Sequence, residues 1–410
     1  MAKDFLLEAT KDLYQKNRRH KDGYSYTIPS EDTYPYQWLW DSCFSAIVMT
    51  HFDTDSAKAE LQSLVSAQFK NGMIPHMIYW DRQKDHPFPE IKWGKRRTSS
   101  ITQPPLLASA VERIYRATND VEFVREMLPH IDAFHRYLIR HRDPRKLNII
   151  GVINPDESGE DNSPRYDAAL GLKNPRHDFI DNFSSRLKLV DDWRQARFVV
   201  KQRMDLHHWV YDVPINSILA ESLAITAELA RLCHEPRVEA WSHAKSEAVK
   251  DAMRKYMRKD GLYWPIMDHG QKASKIKIKT WAMFMPLYSG VATQEEAAMV
   301  VSRYLNNPEY FNTFFGVPTV AEDEPSFNPD GDWKGEGWIG TNWRGPVWIG
   351  SNWLIIQGLR RYGFNKEADR IAKQSRTLVK KSGFREYYDP KTGNGHGAKG
   401  FTWGGLALDM

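Results

Sequence analysis

The chain is poor in cysteine: Cys43 and Cys233 are the two cysteines among its 410 residues. Two cysteines cannot build a disulfide framework, and by themselves they cannot complete a zinc site. The scattered histidines show no metal-ligand spacing, and the chain has neither an HExxH motif nor a glycine-rich phosphate loop. We therefore expect no metal and no cofactor, and the low cysteine content favours a reducing, cytoplasmic compartment.

Long apolar runs and large basic blocks are also missing. No run approaches the roughly 20 apolar residues that a membrane span needs, and residues 1–23 are charged throughout, unlike a signal peptide. The formal charge is +5, from 57 basic and 52 acidic residues. The most basic stretch, Lys272 to Lys279, has no interleaved aromatic residues on which bases could stack. We expect neither a membrane nor a nucleic-acid partner, and the sequence does not predict an oligomeric state.

Amphipathic helical patterns dominate the chain, and loops rich in Pro, Gly and Trp separate them. The predicted helices are Ser56 to Phe69, Leu106 to Thr118, Val121 to His141, Asn216 to Cys233, Glu239 to Tyr256, Glu295 to Leu305, Pro346 to Tyr362 and Lys366 to Lys381. Thr54 or Asp55 is the predicted cap of the first. Convincing strands are few, with short candidates at Gly261 to Ile266 and Lys275 to Thr280. The pattern indicates an all-α fold.

Helical pairs need neighbours to bury their apolar faces. At this length they can form a closed ring of about six hairpins, with loops gathered over one mouth, or an open solenoid. No low-complexity linker or shift in composition marks a boundary, so we expect residues 1–410 to form one domain. Two charged segments, Arg82 to Thr98 and Phe179 to Arg203, are interpreted as loops that could close over that mouth.

Tryptophan and tyrosine are abundant, with 15 and 18 copies. A large core absorbs some of them, but many lie beside Gly, Pro, Asp, Asn or Gln in predicted loops, as in Tyr34 to Asp41 and Trp333 to Trp348. Aromatic rings with hydrogen-bonding neighbours suit the apolar faces and hydroxyl edges of a sugar. This is a compositional indication of a carbohydrate ligand.

Residues Glu157 to Arg165, with the sequence ESGEDNSPR, crowd three carboxylates into a loop after the apolar run Ile149 to Ile153. Neighbouring acids repel one another and burial raises a carboxyl pKa, so one of them can stay protonated near neutral pH. A general acid needs this property. The alternative is an acidic surface turn in which Asp or Asn caps a following helix.

A second carboxylate, Glu386, lies in a loop near the C-terminus, in the sequence GFREYYDP. Arg385, Tyr387 and Tyr388 flank it, and such neighbours can hold an acid ionised through charge and hydrogen bonds. An ionised acid suits a general base, whereas the alternative is a Glu paired with Arg on a hairpin. Asp161 and Glu386 are far apart in the sequence, and a helical ring is a fold that would bring their loops together.

The motifs together resemble glycoside hydrolase family 63 and its trehalase relatives, which are inverting α-glycosidases. ESGEDNSPR resembles the family's ESGxD signature, and FREYYDPKTGNGHGAKGFTW resembles its C-terminal motif. YPYQWLWDSCF and NWRGPVW are similar to its N-terminal and late aromatic motifs, and all four follow the family's order from Thr33 to Trp403. Within the family, the chain is most similar to the short hydrolases of mannosylglycerate and glucosylglycerate.

The resemblance implies an (α/α)6 toroid, with Asp161 as general acid and Glu386 as general base. It also implies a sugar-binding subsite, although each tryptophan taken singly is more often a core residue than a ligand contact. The implied subsite residues are Tyr34, Trp38, Trp40, Asp41, Gln103, Gly159, Trp343 and Trp348. Gly159 would permit close approach of the backbone to the substrate. His76 and Arg344 are further candidates, each of which could instead be a structural hydrogen-bond donor.

Glu160 departs from the family pattern, because relatives often carry Trp or Met before the acid. A further negative charge could raise the pKa of Asp161 or reshape the side of the site that holds the leaving group. If the substrate itself carries a carboxylate, as glycerate does, a compensating cation must lie nearby. Arg165 and Arg344 are the candidates from the sequence.

The leading hypothesis is an inverting α-glycoside hydrolase that acts on a small-molecule glycoside, either α-mannosylglycerate or α-glucosylglycerate. A trehalase-like or α-glucosidase activity on disaccharides or oligosaccharides is the nearest alternative. A sugar epimerase or isomerase on the same ring fold would use paired histidines instead of the motif carboxylates. A helical-repeat binding module without catalysis would present its aromatic residues on an open surface.

Overall fold

Helices make up most of the chain. The computed structural model describes residues 2–80, 97–176, 179–200, 209–268, 273–329 and 342–410. The α-helices are α1 Ala2–Asn17, α2 Leu39–Met49, α3 Thr54–Ser66, α4 Leu107–Thr118, α5 Val121–His141, α6 Asp167–Leu170, α7 Phe179–Gln195, α8 Val213–Leu232, α9 Pro236–Ala252, α10 Met285–Tyr288, α11 Gln294–Val300, α12 Ile349–Arg361 and α13 Asn365–Ser382. Single π-helical turns, Met253–Met257 and Val301–Leu305, extend α9 and α11. Short 3₁₀ segments occupy Pro155–Ser158, Pro164–Tyr166, Trp281–Phe284 and Thr402–Leu408.

The strands are short and lie in the connections between helices. They are β1 Arg18–Lys21, β2 Tyr24–Thr27, β3 Gln37–Trp38, β4 Met77–Ile78, β5 Gly151–Val152, β6 Trp209–Tyr211, β7 Arg258–Lys259, β8 Leu262–Tyr263, β9 Ile266–Asp268, β10 Ala273–Lys275, β11 Arg385–Tyr388 and β12 Gly395–Lys399. The largest sheet is antiparallel with the order β10–β9–β6–β5, and the other strands form two-stranded pairs. Their role in the fold is to hold the long loops in place.

The inner helices contact one another in a closed circuit. Helix α2 contacts α4, α4 contacts α8, α8 contacts α10, and α10 contacts α12. The circuit closes through the segment Thr402–Leu408, which contacts both α12 and α2. Outside this circuit, α3 packs on α2, α5 on α4, α9 on α8, α13 on α12, and α1 on Thr402–Leu408. The contacts thus favour the closed arrangement of helical pairs over the open solenoid.

Local sequence signals explain where several helices begin and end. Asp53 caps α3 by accepting a 2.9 Å hydrogen bond from the Ser56 N–H, so the prediction of Thr54 or Asp55 as the cap was one or two residues late. Asp120 caps α5 in the same way through the Phe123 N–H. Between them, Asn119 ends α4 in the left-handed conformation, with φ +55°, which Asn tolerates better than most residues.

The predicted helices are present with bounds shifted by a few residues, but α1, α2, α7 and the four-residue helices α6 and α10 were not predicted. Every residue of α2 is buried, so this helix has no polar face and no amphipathic pattern to detect. Helix α7 corrects the interpretation of Phe179 to Arg203 as a charged loop, since residues 179 to 195 are helical. Most of the other charged segment, Arg82 to Thr98, lies outside the described residues.

Helix α8 is, within the described ranges, the one helix long and apolar enough to cross a membrane by length and composition. It is also 83% buried over that window, because α4, α5, α9 and α10 pack around it. The expectation that no apolar segment reaches this length was therefore too strict. Burial of this kind is typical of a core helix in a folded domain.

Candidate active site

The predicted acid loop begins where β5 leaves the antiparallel sheet. Its first turn, Pro155–Ser158, is capped by Asn154, whose side chain accepts a 3.0 Å hydrogen bond from the Asp156 N–H. Gly159 ends this turn with φ +73°. A Cβ at Gly159 would lie 2.2 Å from the Trp40 ring, so the close approach expected at this glycine is made by the indole of Trp40.

Asp161 follows this turn and faces a cation from another element. Its Oδ2 lies 3.0 Å from a guanidinium nitrogen of Arg186 on α7, and about a quarter of its side chain is exposed. Burial raises the pKa of Asp161, Arg186 opposes that rise, and the negative charge of Asp156 adds to it. Asp161 is therefore a carboxyl group whose environment favours the protonated form more than water does, as a general acid requires.

Glu386 lies on β11 and is almost completely buried. Its Oε1 accepts a 2.6 Å hydrogen bond from the Tyr34 hydroxyl, and its Oε2 accepts a 2.8 Å hydrogen bond from the Ala398 N–H on β12. Burial raises the pKa of Glu386 to about 7, and the charge of Asp161 also raises it. The fold thus brings the two predicted carboxylates close enough to interact, and the two donors orient Glu386.

The N-terminal motif places its residues around Glu386 and the acid loop. Tyr34 contacts Glu386 directly, and its ring packs edge-on against Trp38 on β3. Asp41 lies buried in the first turn of α2, where its Oδ1 accepts a 2.8 Å hydrogen bond from the Trp403 indole N–H. Burial raises the pKa of Asp41 to about 7, with a smaller contribution from the charge of Glu386. The predicted polar partner of Asp41 is thus an indole.

Gln103 lies buried beside the start of α2. Its Oε1 accepts a long 3.4 Å hydrogen bond from the Trp40 N–H, which is one of the amide groups at the N-terminus of that helix. The ring of Trp40 also packs edge-on against Trp403, with centroids 4.7 Å apart. Gln103, Trp40 and Asp41 therefore belong to one cluster at the N-terminus of α2.

Trp343 and Trp348 form a stacked pair whose ring centroids are 4.1 Å apart with an interplanar angle of 8°. The backbone N–H of Trp343 donates a 3.0 Å hydrogen bond to Oδ1 of Asn162, the residue after Asp161. The ring of Trp348 stacks on Tyr387, the residue after Glu386. The pair therefore forms an aromatic wall that connects the acid loop to the strand of the second carboxylate.

Glu160, which departs from the family pattern, is fully buried and has a complete set of partners. Arg165 binds both of its oxygens, at 2.6 and 2.9 Å, and the Trp281 indole N–H donates a 2.7 Å hydrogen bond to Oε2. Arg165 also binds Asp212, just before α8, at 2.9 Å. The negative charge that raises the pKa of Asp161 most is that of Asp156 and not that of Glu160. Glu160 instead anchors the acid loop through its bonds to Arg165 and Trp281.

The other cation and histidine candidates have structural partners. Arg165 is held between two buried carboxylates, and Arg344 pairs with Asp167 and donates a 3.1 Å hydrogen bond to the Pro175 carbonyl. His76 is buried with its Nδ1 2.6 Å from the Ser99 hydroxyl, and burial lowers its pKa to about 3. None of these three residues provides a free cation beside Asp161.

Sequence reasoning missed Arg186, the cation in direct contact with Asp161. It lies on the helix that was interpreted as a loop, and its face of α7 carries buried residues at helical spacing, namely Asn182, Arg186, Val190 and Trp193. That spacing was the available signal for an amphipathic helix. Trp403 was also missed as a partner of Asp41, although it lies at the end of the C-terminal motif.

The arrangement defines the class of protein. Two carboxylates with raised pKa values meet at an aromatic wall, which suits acid and base chemistry on a sugar. Within the described ranges, no three His, Cys, Asp or Glu side chains are grouped as metal ligands. The chain is a glycoside hydrolase. More particularly, it belongs to the mannosylglycerate hydrolase MGH1-like glycoside hydrolase domain family, whose pattern matches residues 34–404.

Characterised relatives agree with this assignment. The chain is 32% identical to the mannosylglycerate hydrolase of Thermus thermophilus, over 96% of this chain and 97% of that protein. It is 27% identical to the glucosylglycerate hydrolase of Mycolicibacterium hassiacum, over 92% of this chain and 91% of that protein. The crystal structure of a family 63 mannosylglycerate hydrolase from Thermus thermophilus, in complex with Tris and D-glycerate, superposes with a TM-score of 0.86 at 32% identity and covers 98% of this chain and 99% of its own.

Proposed function

We propose that this enzyme hydrolyses α-mannosylglycerate or α-glucosylglycerate with inversion at the anomeric carbon. The observation that carries the proposal is the pair of carboxylates. Asp161 contacts Arg186, whereas Glu386 accepts hydrogen bonds from Tyr34 and Ala398. A mannosylglycerate hydrolase that is similar over nearly its whole length binds D-glycerate in a crystal structure. Relatives that are similar over nearly the whole chain are named as hydrolases of mannosylglycerate or glucosylglycerate.

In this reaction Asp161 protonates the glycosidic oxygen as the bond to glycerate breaks. Glu386 accepts a proton from a water molecule that attacks the anomeric carbon from the opposite face. The Tyr34 hydroxyl and the Ala398 N–H hold the Glu386 carboxylate in one orientation. Fixing the base in this way lowers the entropic cost of reaching the reactive geometry.

The glycone subsite is proposed to include Tyr34, Trp38, Trp40, Asp41, Gln103, Gly159, Trp343 and Trp348. Asp41 brings a carboxylate that can accept hydrogen bonds from sugar hydroxyls, and the stacked rings of Trp343 and Trp348 lie almost fully buried against the segments of the two carboxylates. These roles are proposals that rest on the family motifs and on the clustering of the side chains described above.

Arg186 is the cation in contact with the proposed acid, and its two terminal nitrogens are shared by Asp156 and Asp161. It is the cation next to Asp161, the residue that contacts the leaving oxygen in this mechanism, whereas Arg165 and Arg344 are held elsewhere. We therefore propose that Arg186 orients Asp161, and that neither of the two arginines suggested by the sequence takes this place.

The closed circuit of helical contacts supports an (α/α)6 toroid formed by residues 1–410 as one domain, with the site at the mouth where the long loops meet. The buried free thiols of Cys43 and Cys233 agree with the cytoplasmic location that the cysteine content predicts. The single domain and the cytoplasmic location both stay predictions.

A panel of small α-glycosides tests this function. We expect release of free mannose or glucose from the corresponding glycerate α-glycoside, and ¹H NMR should detect the β-anomer first. Cleavage of trehalose or maltose but not of the glycerate glycosides would favour the trehalase-like alternative. First appearance of the α-anomer would contradict inversion, and sugar interconversion without glycoside cleavage would indicate an epimerase or isomerase.

A further inference from the structure

A third carboxylate shares the arginine that contacts Asp161. Arg186 places one terminal nitrogen 2.5 Å from Oδ1 of Asp156 and the other 3.0 Å from Oδ2 of Asp161. Its Nε donates a 2.9 Å hydrogen bond to Asn182, one turn earlier on α7. The guanidinium is almost completely buried, whereas about a fifth of the Asp156 side chain is exposed. Asp156 and Asp161 therefore lie on either end of one fixed cation.

Asp156, Arg186 and Asp161 form a charged cluster. Its charges explain how an acid can remain protonated beside an arginine. An arginine that faced Asp161 alone would favour the carboxylate and oppose proton donation. With Asp156 on its other side, the cluster carries one negative charge in excess, and a single proton neutralises it. The contact of Arg186 with Asp156 is the shorter one, so Asp156 engages the cation more strongly and leaves Asp161 with the weaker ion pair.

We propose that Asp156 is a positioning residue for the general acid: it engages Arg186 so that Asp161 carries the proton that is donated to the leaving group. Asp156 acts through Arg186 and need not touch the substrate. This inference rests on the proposed hydrolase function, because it assigns a role toward the acid of that mechanism.

Other charged groups also face Asp161, and the role of Asp156 must be separated from theirs. Glu386 from β11 interacts with Asp161 through charge, and so does the Tyr34 hydroxyl from the N-terminal loop. Glu160 is adjacent in sequence but is paired with Arg165. Asp156 differs from these groups because it shares Arg186 with Asp161. The Asp156→Asn change removes the charge of Asp156 and keeps nearly the same side-chain shape.

The test compares two substrates with the same sugar in the Asp156→Asn variant: the glycerate α-glycoside, whose leaving oxygen needs a proton, and the α-glycosyl fluoride, whose leaving group needs little acid assistance. We expect kcat/KM for the glycerate glycoside at pH 8 to fall by about tenfold or more. The alkaline limb of the pH profile should move to lower pH, while cleavage of the fluoride stays near the wild-type rate. Asp156→Glu, which restores the charge, should recover part of the loss.

Asp181→Asn is the matched control, since Asp181 is an exposed carboxylate in the first turn of the same helix as Arg186. It should leave both substrates unaffected. An equal loss of the two activities in Asp156→Asn would show a merely structural role, and an unchanged pH profile would likewise overturn the inference. If the wild type cleaves neither substrate, the hydrolase function itself fails and the inference fails with it.

Discussion

The Tyr34 hydroxyl donates a 2.6 Å hydrogen bond to Oε1 of Glu386, across 352 residues of sequence. This contact joins the N-terminal motif to the C-terminal one. It favours the ionised form of a carboxyl group whose burial favours the neutral form. The proposed base thus depends on a residue whose placement requires the helical circuit to be closed.

Tyr34→Phe should impair the enzyme mainly on the acidic side of its pH profile. Without the hydroxyl, the pKa of Glu386 rises further, so the base stays protonated to a higher pH. A hydrogen bond to a charged group contributes roughly 1.5–3 kcal/mol, so we expect about a tenfold or greater loss of kcat/KM at pH 6, with partial recovery at pH 8. Tyr304→Phe, outside the site in the turn Val301–Leu305, is the control. An equal loss at every pH would instead indicate that Tyr34 acts through substrate contact.

Gly397→Ala should displace the Glu386 carboxylate. Gly397 lies on β12 with φ +62°, and a Cβ there would lie 2.3 Å from Oε2 of Glu386. A misplacement of about 1 Å can reduce turnover by about 100-fold, so we expect a fall in kcat of that order with the fold retained, measured by steady-state kinetics and circular dichroism.

Gly363→Ala separates this steric effect from backbone strain. Gly363 also has a left-handed conformation, φ +80°, but no atom lies within 4 Å of the added Cβ. It should cost roughly 1–2 kcal/mol of stability and leave kcat unchanged. Normal turnover by Gly397→Ala would contradict the assigned position of Glu386.

The two carboxylates were predictable because four sequence motifs match those of the family in the same order, and two of these motifs contain the carboxylates. Asp161 stands in a segment whose Gly and Pro neighbours mark it as an ordered loop. Glu386 was also predicted in a loop but lies on strand β11 of a hairpin, and the structure brings the two carboxylates together. The amphipathic helices, such as α5, were predictable for a similar reason, since their apolar period can be read locally.

The partners of these carboxylates were not predictable, because tertiary packing selects them. Arg186 contacts Asp161 from a helix 25 residues further along the chain, and Asp212 shares Arg165 with Glu160 from the start of α8. Nothing in the local pattern distinguishes Arg165 from a surface arginine. Glu160 could be interpreted only after its cation and the Trp281 N–H were seen to lie around it.

Arg165→Met should destabilise the fold strongly. The change leaves Glu160 and Asp212 buried without their shared cation, and removing one partner of a buried pair costs about 3–5 kcal/mol. Urea unfolding should show a loss of this size. Arg116→Met, which removes an exposed i,i+4 pair with Glu112, should cost about 1 kcal/mol or less. A similar small cost for both variants would mean that the network around Glu160 contributes little to stability.

Glu386→Gln should abolish activity and yet stabilise the protein at alkaline pH. The pKa of Glu386 is raised to about 7 in the folded state, against about 4.3 in an unfolded chain. The folded state therefore binds the proton more tightly, so the contribution to stability is complete below about pH 4 and is lost as the pH rises through 7.

Glutamine reproduces the neutral form at every pH, and the Tyr34 hydroxyl can rotate to accept a hydrogen bond from its amide. Thermal melting should show no gain for Glu386→Gln at pH 4 and a gain equivalent to about 1–3 kcal/mol at pH 8. The exposed Glu309→Gln serves as the control and should melt with the wild type at both pH values. A gain in Glu386→Gln that did not depend on pH would show that the pKa of Glu386 is the same in the folded and unfolded states, and that its burial does not oppose its charge.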